Sequence, residues 1–167
     1  MSLPSLLKDF RLYVNGFSTG NNVEEITMPK ITEKLEEIKL GYFTVETDMG
    51  LEKLEAEITI LGHDKNIWIQ HGLLNNTTGQ ILTFRAYQKN NEGVVDEIMV
   101  IMRGRFTEVD FGSVKKGDKS TCKIKASLSA FTYSLNKVPY YVIEPLTNTY
   151  IIGGVNQLEK ENSALGI

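Results

Sequence analysis

The fold is decided by residues 24–60, which read EEITMPKITEKLEEIKLGYFTVETDMGLEKLEAEITI. At both ends of this stretch apolar residues alternate with charged or hydroxyl residues, as in a strand with one buried and one wet face. The alternation over residues 51–61 places on its apolar face Leu54, Ala56, Ile58 and Ile60. Pro29 cannot donate to a ladder, so the first strand lies at an edge or leaves its sheet there. The stretch therefore predicts two strands joined by a long charged excursion over residues 32–48.

The start of the excursion, residues 31–40, is ambiguous. Ile31, Leu35 and Ile38 stand at i, i+4 and i+7, which is the spacing of an amphipathic helix, and Thr32 could cap it. From these residues alone a short helix is predicted. An excursion of this size is better suited to reaching a neighbour than to serving the core of its own domain.

Composition limits the function classes. The chain has 167 residues, enough for one domain with a core of its own. A net charge of −3 argues against a nucleic-acid binder, because phosphate contacts need clustered Lys and Arg. Apolar runs are too short for a membrane helix, and residues 1–7 lack a secretory signal pattern. The single cysteine, Cys122, excludes an internal disulfide and indicates folding in a reducing cytosol.

Other segments also alternate or carry turn signals. Predicted strands cover residues 10–14, 80–89, 94–109 and 121–136, and a strand pair over 140–152 is broken around 145–148. A central helix is predicted over residues 63–72, and a short one over 156–165 with Asn156 as N-cap and Gly166 as its stop. Many short strands without a β-α-β rhythm indicate a mainly β chain, an antiparallel barrel or sandwich with these two helices.

The predicted strand over residues 94–109 has an unusual centre. Residues 98–102 read IMVIM and are apolar on both faces, as expected of a strand that is covered on two sides. In a chain of this size, a neighbouring subunit can supply the second cover. This segment is therefore a second indication of assembly.

No constellation of residues points to catalysis. Residues 112–121, GSVKKGDKST, miss the phosphate-binding pattern GxxxxGK[ST] by the inserted Asp118, and a strand rather than a helix follows, so a hairpin turn is predicted. His63 and His71 are eight residues apart, too far for a chelating pair on one helix. Cys122 lies on the predicted core face, which favours an inert thiol. We expect neither an enzyme nor a metal or cofactor site.

Motifs along the whole chain carry a family resemblance. They are ITMPKIT and DMGLEKLEAE within residues 24–60, LYVNG at residues 12–16, MRGRFTEVDFGxxKKGDK at 102–119 and GVNQLxxxxxALGI at 154–167. In this order they resemble the major tail tube protein of contractile-tailed bacteriophages and related tailocins. The chain departs from that pattern at residues 40–42, which read LGY where the family usually has a glycine pair.

The resemblance implies a single tail-tube domain over residues 1–167, with an extended rather than helical structure for residues 31–40. It further implies hexameric rings that stack into the inner tube of a contractile tail. That tube conducts DNA, which passes transiently and without specific binding, or acts as the needle of a tailocin. Sheath, baseplate and tail-terminator proteins are the expected partners. The expected place is the virion tail, assembled in the host bacterial cytoplasm without membrane insertion.

Two surfaces follow as candidates. Contacts between subunits are expected from the excursion, the N-terminal segment and the C-terminal helix. The candidate residues are Pro29, Lys30, Thr32, Glu33, Lys34, Glu36, Glu37, Lys39, Tyr42, Asp48, Leu158 and Leu165. The wall of the lumen is expected from two strand faces of opposite charge, at Glu55, Glu57, Lys123, Lys125 and Ser127. A wall that passes DNA must be near neutral or weakly acidic, because a basic wall would hold phosphates.

Two other functions stay open at this point. A secreted tube protein of type VI systems has a similar architecture by resemblance. A monomeric β-barrel that binds a small ligand is the alternative without assembly, and it predicts an apolar pocket and no filament.

Overall fold

The computed structural model describes residues 3–62, 65 and 79–167. Within these residues the strands are β1 (Leu6–Val14), β2 (Phe17–Ser18), β3 (Val23–Thr27), β4 (Glu33–Leu40), β5 (Phe43–Leu51), β6 (Leu54–Leu61), β7 (Gln80–Lys89), β8 (Val95–Asp110), β9 (Thr121–Leu135), β10 (Val138–Glu144), β11 (Thr149–Ile152) and β12 (Val155–Asn156). A 3-10 turn covers Pro145–Thr147, and helix α1 covers Glu159–Leu165. The chain is mainly antiparallel β, as predicted.

Two long strands, β8 and β9, hold the main sheet together. They pair with each other along most of their length, and the order of neighbours through them is β12-β11-β10-β9-β8-β7-β1-β2. The first half of β9 also pairs with β6, and β6 pairs with β3 on its other side. The second half of β9 pairs with β10 instead. Each long strand thus takes part in both halves of the main sheet, which we call the two half-sheets.

Irregularities in β8 and β9 let the two half-sheets fold over one core. The register between these strands shifts between Arg103 and Gly104 and again between Phe106 and Glu108. Such bulges bend a sheet and increase its local twist. The enclosed core draws fully buried side chains from several strands, including Leu12, Ile58, Leu82, Val100, Met102 and Ile124. Cys122 is buried among them, as its position on the predicted core face indicated.

Most predicted strands are confirmed with small shifts of their ends. The strand over residues 80–89 is β7 without change, and the turn at Asn15 and Gly16 is confirmed, with both residues at positive φ. The strand expected over residues 51–61 begins at Leu54, because Leu51 belongs to β5. The predicted helix over residues 63–72 lies outside the described residues, apart from position 65.

The predicted capping of the C-terminal helix is wrong in one detail. Helix α1 starts at Glu159, and its N-cap position is Leu158, which has no side-chain cap. Asn156 instead ends β12, where its Oδ1 accepts hydrogen bonds from the backbone N–H groups of Leu158 (3.1 Å) and Tyr150 (3.4 Å). The predicted stop is confirmed, since Gly166 has a left-handed φ of 73°.

The excursion is a β-hairpin, so the helical interpretation of residues 31–40 is wrong and the extended one is correct. It is also more regular than the expected loop, because β4 pairs with β5 from Glu33 to Leu40. Ile38 lies opposite Val45 and Leu40 opposite Phe43, so apolar residues pair across the strands. A lone helix projecting from the sheet would have no partner for its apolar stripe.

Among the described residues, the doubly apolar centre of β8 is fully buried on one face only. Val100 and Met102 are fully buried, whereas Ile101 on the opposite face is 37% exposed. The expected cover on both faces is therefore not supplied by the described part of this chain.

Candidate assembly surfaces

The first surface is the hairpin, which we define as β4 and β5 with their turn (residues 33–51). It forms a separate two-stranded sheet and leaves the main sheet between β3 and β6. At its base the backbone N–H of Glu52 donates to the carbonyl of Thr32 over 2.8 Å. Its turn has two residues, Gly41 with φ 62° and Tyr42, which suits glycine at the first position of a type II′ turn.

Most of the predicted subunit contacts lie on this hairpin and are exposed. Every residue of β4 is exposed, and so are Tyr42 and Asp48. The hairpin also presents large apolar side chains to solvent, at Leu35, Ile38, Leu40, Tyr42, Phe43, Val45 and Met49. Pro29, Lys30 and Thr32 lie in the segment that connects β3 to it. The sequence predicted the polar contact residues of the hairpin and Tyr42, and missed the other exposed apolar residues, which its alternation could have indicated.

The hairpin base and the C-terminal segment meet at a cavity of about 490 Å³. Its lining includes Glu33, Asp48 and Leu158, so three predicted contact residues are brought together there, whereas Leu165 lies elsewhere on α1 and is 63% exposed. Tyr150 lines the same cavity.

The environment of Tyr150 is set by this cavity. Burial raises the pKa of its phenol above the ordinary value of 10.0, and negative charge on Glu33, Tyr141 and Asp48 adds to the rise. The neutral phenol is therefore favoured where the hairpin joins the body of the chain.

The second surface is the wet face of β6 and of the adjoining halves of β9 and β8, which we call the charged sheet face. Glu57 lies opposite Lys125, and Lys125 lies opposite Glu108 on its other side. The Lys125 Nζ is 3.7 Å from the Glu108 Oε2. A second row runs from Glu55 through Ser127 to Arg105. The predicted lumen residues therefore do share one face.

Three residues of this face were missed from the sequence. Arg105, Glu108 and Asp110 lie on β8, and Asp110 is opposite Lys123. The shift between Phe106 and Glu108 inserts one residue, so the outward residues change from odd to even numbers within β8. A prediction that assumes strict alternation along β8 therefore does not find Glu108 and Asp110 on this face. With them the face carries four carboxylates and three cations, a net charge of −1.

The two surfaces are adjacent. A cavity of about 380 Å³ is lined by Lys30 and Thr32 from the connecting segment and by Glu55, Glu57 and Lys125 from the charged sheet face. The predicted contact residues and the predicted lumen residues thus meet at the end of β6 from which the hairpin leaves.

The described residues give little support for a metal site, a phosphate-binding loop or a membrane-spanning helix. No group of three His, Cys, Asp or Glu side chains there is arranged to hold a metal ion. Residues 112–120 join β8 to β9 without a helix, so the near-match to a phosphate-binding loop is a strand connection. None of the helices in residues 3–62, 65 and 79–167 is long and apolar enough to span a membrane.

Two curated relatives match the chain from end to end. The tail tube protein of Escherichia phage P2 is 27% identical over 172 residues, covering all of both chains. The major tail tube protein of Serratia phage KSP20 is 28% identical over 172 residues, covering all of this chain and 99% of its own.

Solved structures share the fold at low identity. A chain of the sheath–tube complex of an extracellular contractile injection system has a TM-score of 0.58 at 10% identity, covering 75% of this chain and 87% of its own. A chain from the sheath/tube terminator of that system has a TM-score of 0.60 at 11% identity, covering 80% and 98%. One from the anti-feeding prophage baseplate has a TM-score of 0.53 at 10% identity, covering 82% and 99%.

The family model for phage tail tube protein FII matches residues 4–166, nearly the whole chain. Its match agrees with the motifs, with the relatives and with the folded antiparallel sheet. The chain therefore belongs to the phage tail tube protein FII family.

Proposed function

We propose that this chain is the structural subunit of the inner tube of a contractile tail. Six copies form a ring, and rings stack into a hollow tube. Side-by-side contacts remove free strand edges from the ring, and stacking is a head-to-tail contact that does not close and so propagates as a filament. The observation that carries this proposal is the exposed hairpin.

The hairpin is hard to explain in a free monomer. A two-stranded hairpin on its own is marginally stable in water. This one exposes Tyr42 by 96% and Phe43 by 71%, and β4 has no buried residue. Large exposed apolar patches mark interaction sites. A neighbouring copy in the next ring would bury this surface and stabilise the hairpin.

The charged sheet face is the proposed wall of the channel. Its net charge of −1 is close to neutral, so the face has no excess of positive charge that would hold the phosphates of a passing duplex. Lys125 has Glu57 and Glu108 on either side, which balances the cation locally. This balance supports transient passage of DNA without retention.

The proposed partners are taken from the assemblies in which solved chains of this fold are found. The structural relatives come from sheath–tube, sheath/tube terminator and baseplate assemblies. We propose that the outer surface of the tube contacts a sheath protein, that the first ring sits on a baseplate and that a terminator protein caps the last ring. Assembly takes place in the host bacterial cytoplasm.

The direct test is negative-stain electron microscopy with light-scattering mass over a concentration series of the purified chain. We expect six-fold rings or tubes, with mass that rises with concentration. A monomer at every concentration that retains a small molecule through purification would overturn the proposal in favour of a ligand-binding barrel.

A further inference from the structure

Two segments leave the charged sheet face at opposite ends. Thr27 of β3 pairs with Glu57, and β6 begins at Leu54, so the hairpin leaves at that end. Leu61 at the other end of β6 pairs with Thr121, the first residue of β9. Residues 111–120, which we call the lysine loop, therefore lie at the far end. The eight residues of β6 separate the two ends by roughly 23 Å.

The two segments carry opposite charge. The hairpin has five carboxylates and two lysines, a net charge of −3. The lysine loop has three lysines and one aspartate, a net charge of +2. Each also exposes apolar surface, since Val114 of the loop is 82% exposed and Tyr42 of the hairpin is 96% exposed. One end of the molecule thus complements the other.

The positive charge of the lysine loop is not neutralised effectively within the described part of the chain. Lys115 lies 4.0 Å from Asp118, and Lys119 lies 3.9 Å from Glu24, with lysine side chains 81% and 76% exposed. Exposed pairs at such distances contribute little to stability. No carboxylate among the described residues forms an ion pair with Lys116.

The hairpin has an internal conflict that an outside cation relieves. Glu37 and Glu46 are register partners directly across β4 and β5, and both are exposed. Like charges directly opposite each other destabilise a strand pair. A lysine brought between them by another molecule would convert this repulsion into attraction.

We infer that the hairpin of one copy docks on the lysine loop of a second copy in the next ring. The inference rests on the proposed tube and identifies the receiving surface of the ring-to-ring contact. The hairpin and the lysine loop lie at opposite ends of β6. A stack of rings therefore exposes hairpins at one end and lysine loops at the other, and every added ring has the same polarity.

Charge reversal tests this docking. The hairpin variant is E37K/E46K, and the loop variant is K115E/K116E. The combined variant carries all four changes and restores attraction with the signs exchanged. The control variant E92K/E97K makes the same change in net charge as the hairpin variant at residues away from both segments. Circular dichroism checks that each variant is folded, and electron microscopy with pelleting gives the minimum concentration for tube growth.

We expect the hairpin and loop variants to form rings but to need at least roughly ten times more protein for tube growth than the wild type, because like charges now face each other. The combined variant, and an equimolar mixture of the two single-surface variants, should recover most of that loss. Tube growth by both variants at the control's concentration would overturn the docking while leaving the tube intact, and so would a combined variant no better than either. A wild type that forms neither rings nor tubes and retains a small molecule through purification would instead overturn the proposed function itself.

Discussion

At the scale of single residues, Gly104 fixes how closely β8 approaches β9. A Cβ atom at this position would lie 2.2 Å from the Ser127 carbonyl oxygen and 3.0 Å from the Leu128 Cα. Both atoms belong to the backbone of the paired strand, so they cannot move aside without shifting the register irregularity there. The absence of a side chain is therefore part of the bend that closes the core.

We predict that Gly104→Ala lowers the free energy of unfolding by about 1–3 kcal/mol or more, as overpacking does. Urea unfolding followed by circular dichroism measures this loss. The control is Arg103→Ala on the same strand, where the side chain is exposed and a change within about 0.5 kcal/mol is expected. Equal stability of Gly104→Ala and wild type would show that the strands can separate freely at this point.

The contribution of Tyr150 to stability depends on its environment at the base of the hairpin. Its raised pKa means that above pH 10 the unfolded chain releases the phenol proton before the folded chain does. In that window the folded state binds more protons, so its stability falls as pH rises. Below pH 10 both states are neutral at this group and its contribution does not change.

We predict that wild type loses more stability than Tyr150→Phe between pH 9 and pH values above 10. Urea unfolding of both proteins at matched pH values measures the difference, and the other titrating groups cancel in the comparison. Parallel stability curves for the two proteins would contradict the assigned burial and charge around Tyr150.

At the scale of elements, the hairpin is the part whose role differs most from that of the core. In the described part of the chain its two strands pair only with each other. Its contribution to the core cluster there is the partly buried Leu51. We predict that replacing residues 35–48 by Asn-Gly leaves the free energy of unfolding within about 1 kcal/mol of wild type, since no buried side chain is removed.

The same shortened chain should form rings that do not stack, which electron microscopy would record. Its control is a wild-type sample at equal concentration and salt. Tubes of wild-type length from the shortened chain would remove the hairpin from the ring-to-ring contact.

The sequence predicts elements well where one strict period holds. Alternation located β6, β7 and the first half of β9, because each has one buried and one wet face there. Beyond Leu128 the alternation in β9 reverses at the register shift, and Phe131 is buried. Alternation did not predict which residues of β8 face outward after Phe106. A single inserted residue reverses the alternation there, and the amino-acid composition does not reveal the insertion. Residue spacing also did not decide between a helix and a strand for residues 31–40. Their apolar residues have helical spacing, and their pairing with β5 is visible only in the structure.

At the scale of the whole molecule, the balance of charge on the sheet face should decide whether a tube releases DNA. Reversing Glu55, Glu57 and Glu108 to Lys changes the net charge of this face from −1 to +5 per copy. We predict that tubes of this variant retain labelled duplex DNA in a pelleting assay at about 150 mM salt, whereas wild-type tubes do not, because clustered cations bind phosphates.

The matched control, E92K/E159K/E161K, makes the same change in net charge outside this face. It should retain much less DNA than the face variant. Equal retention by the two variants would mean that net charge alone governs binding and that the charged sheet face does not line the channel.

We propose that this chain builds a tube whose wall is the charged sheet face and whose rings are joined by the hairpin. A cryo-EM reconstruction of the assembled wild-type chain tests it most directly. We expect six copies in each ring, with Glu57, Lys125 and Glu108 facing the channel and each hairpin contacting residues 111–120 of a copy in the next ring. Rings with a different sheet face toward the channel, or hairpins that extend into solvent away from every neighbour, would contradict it.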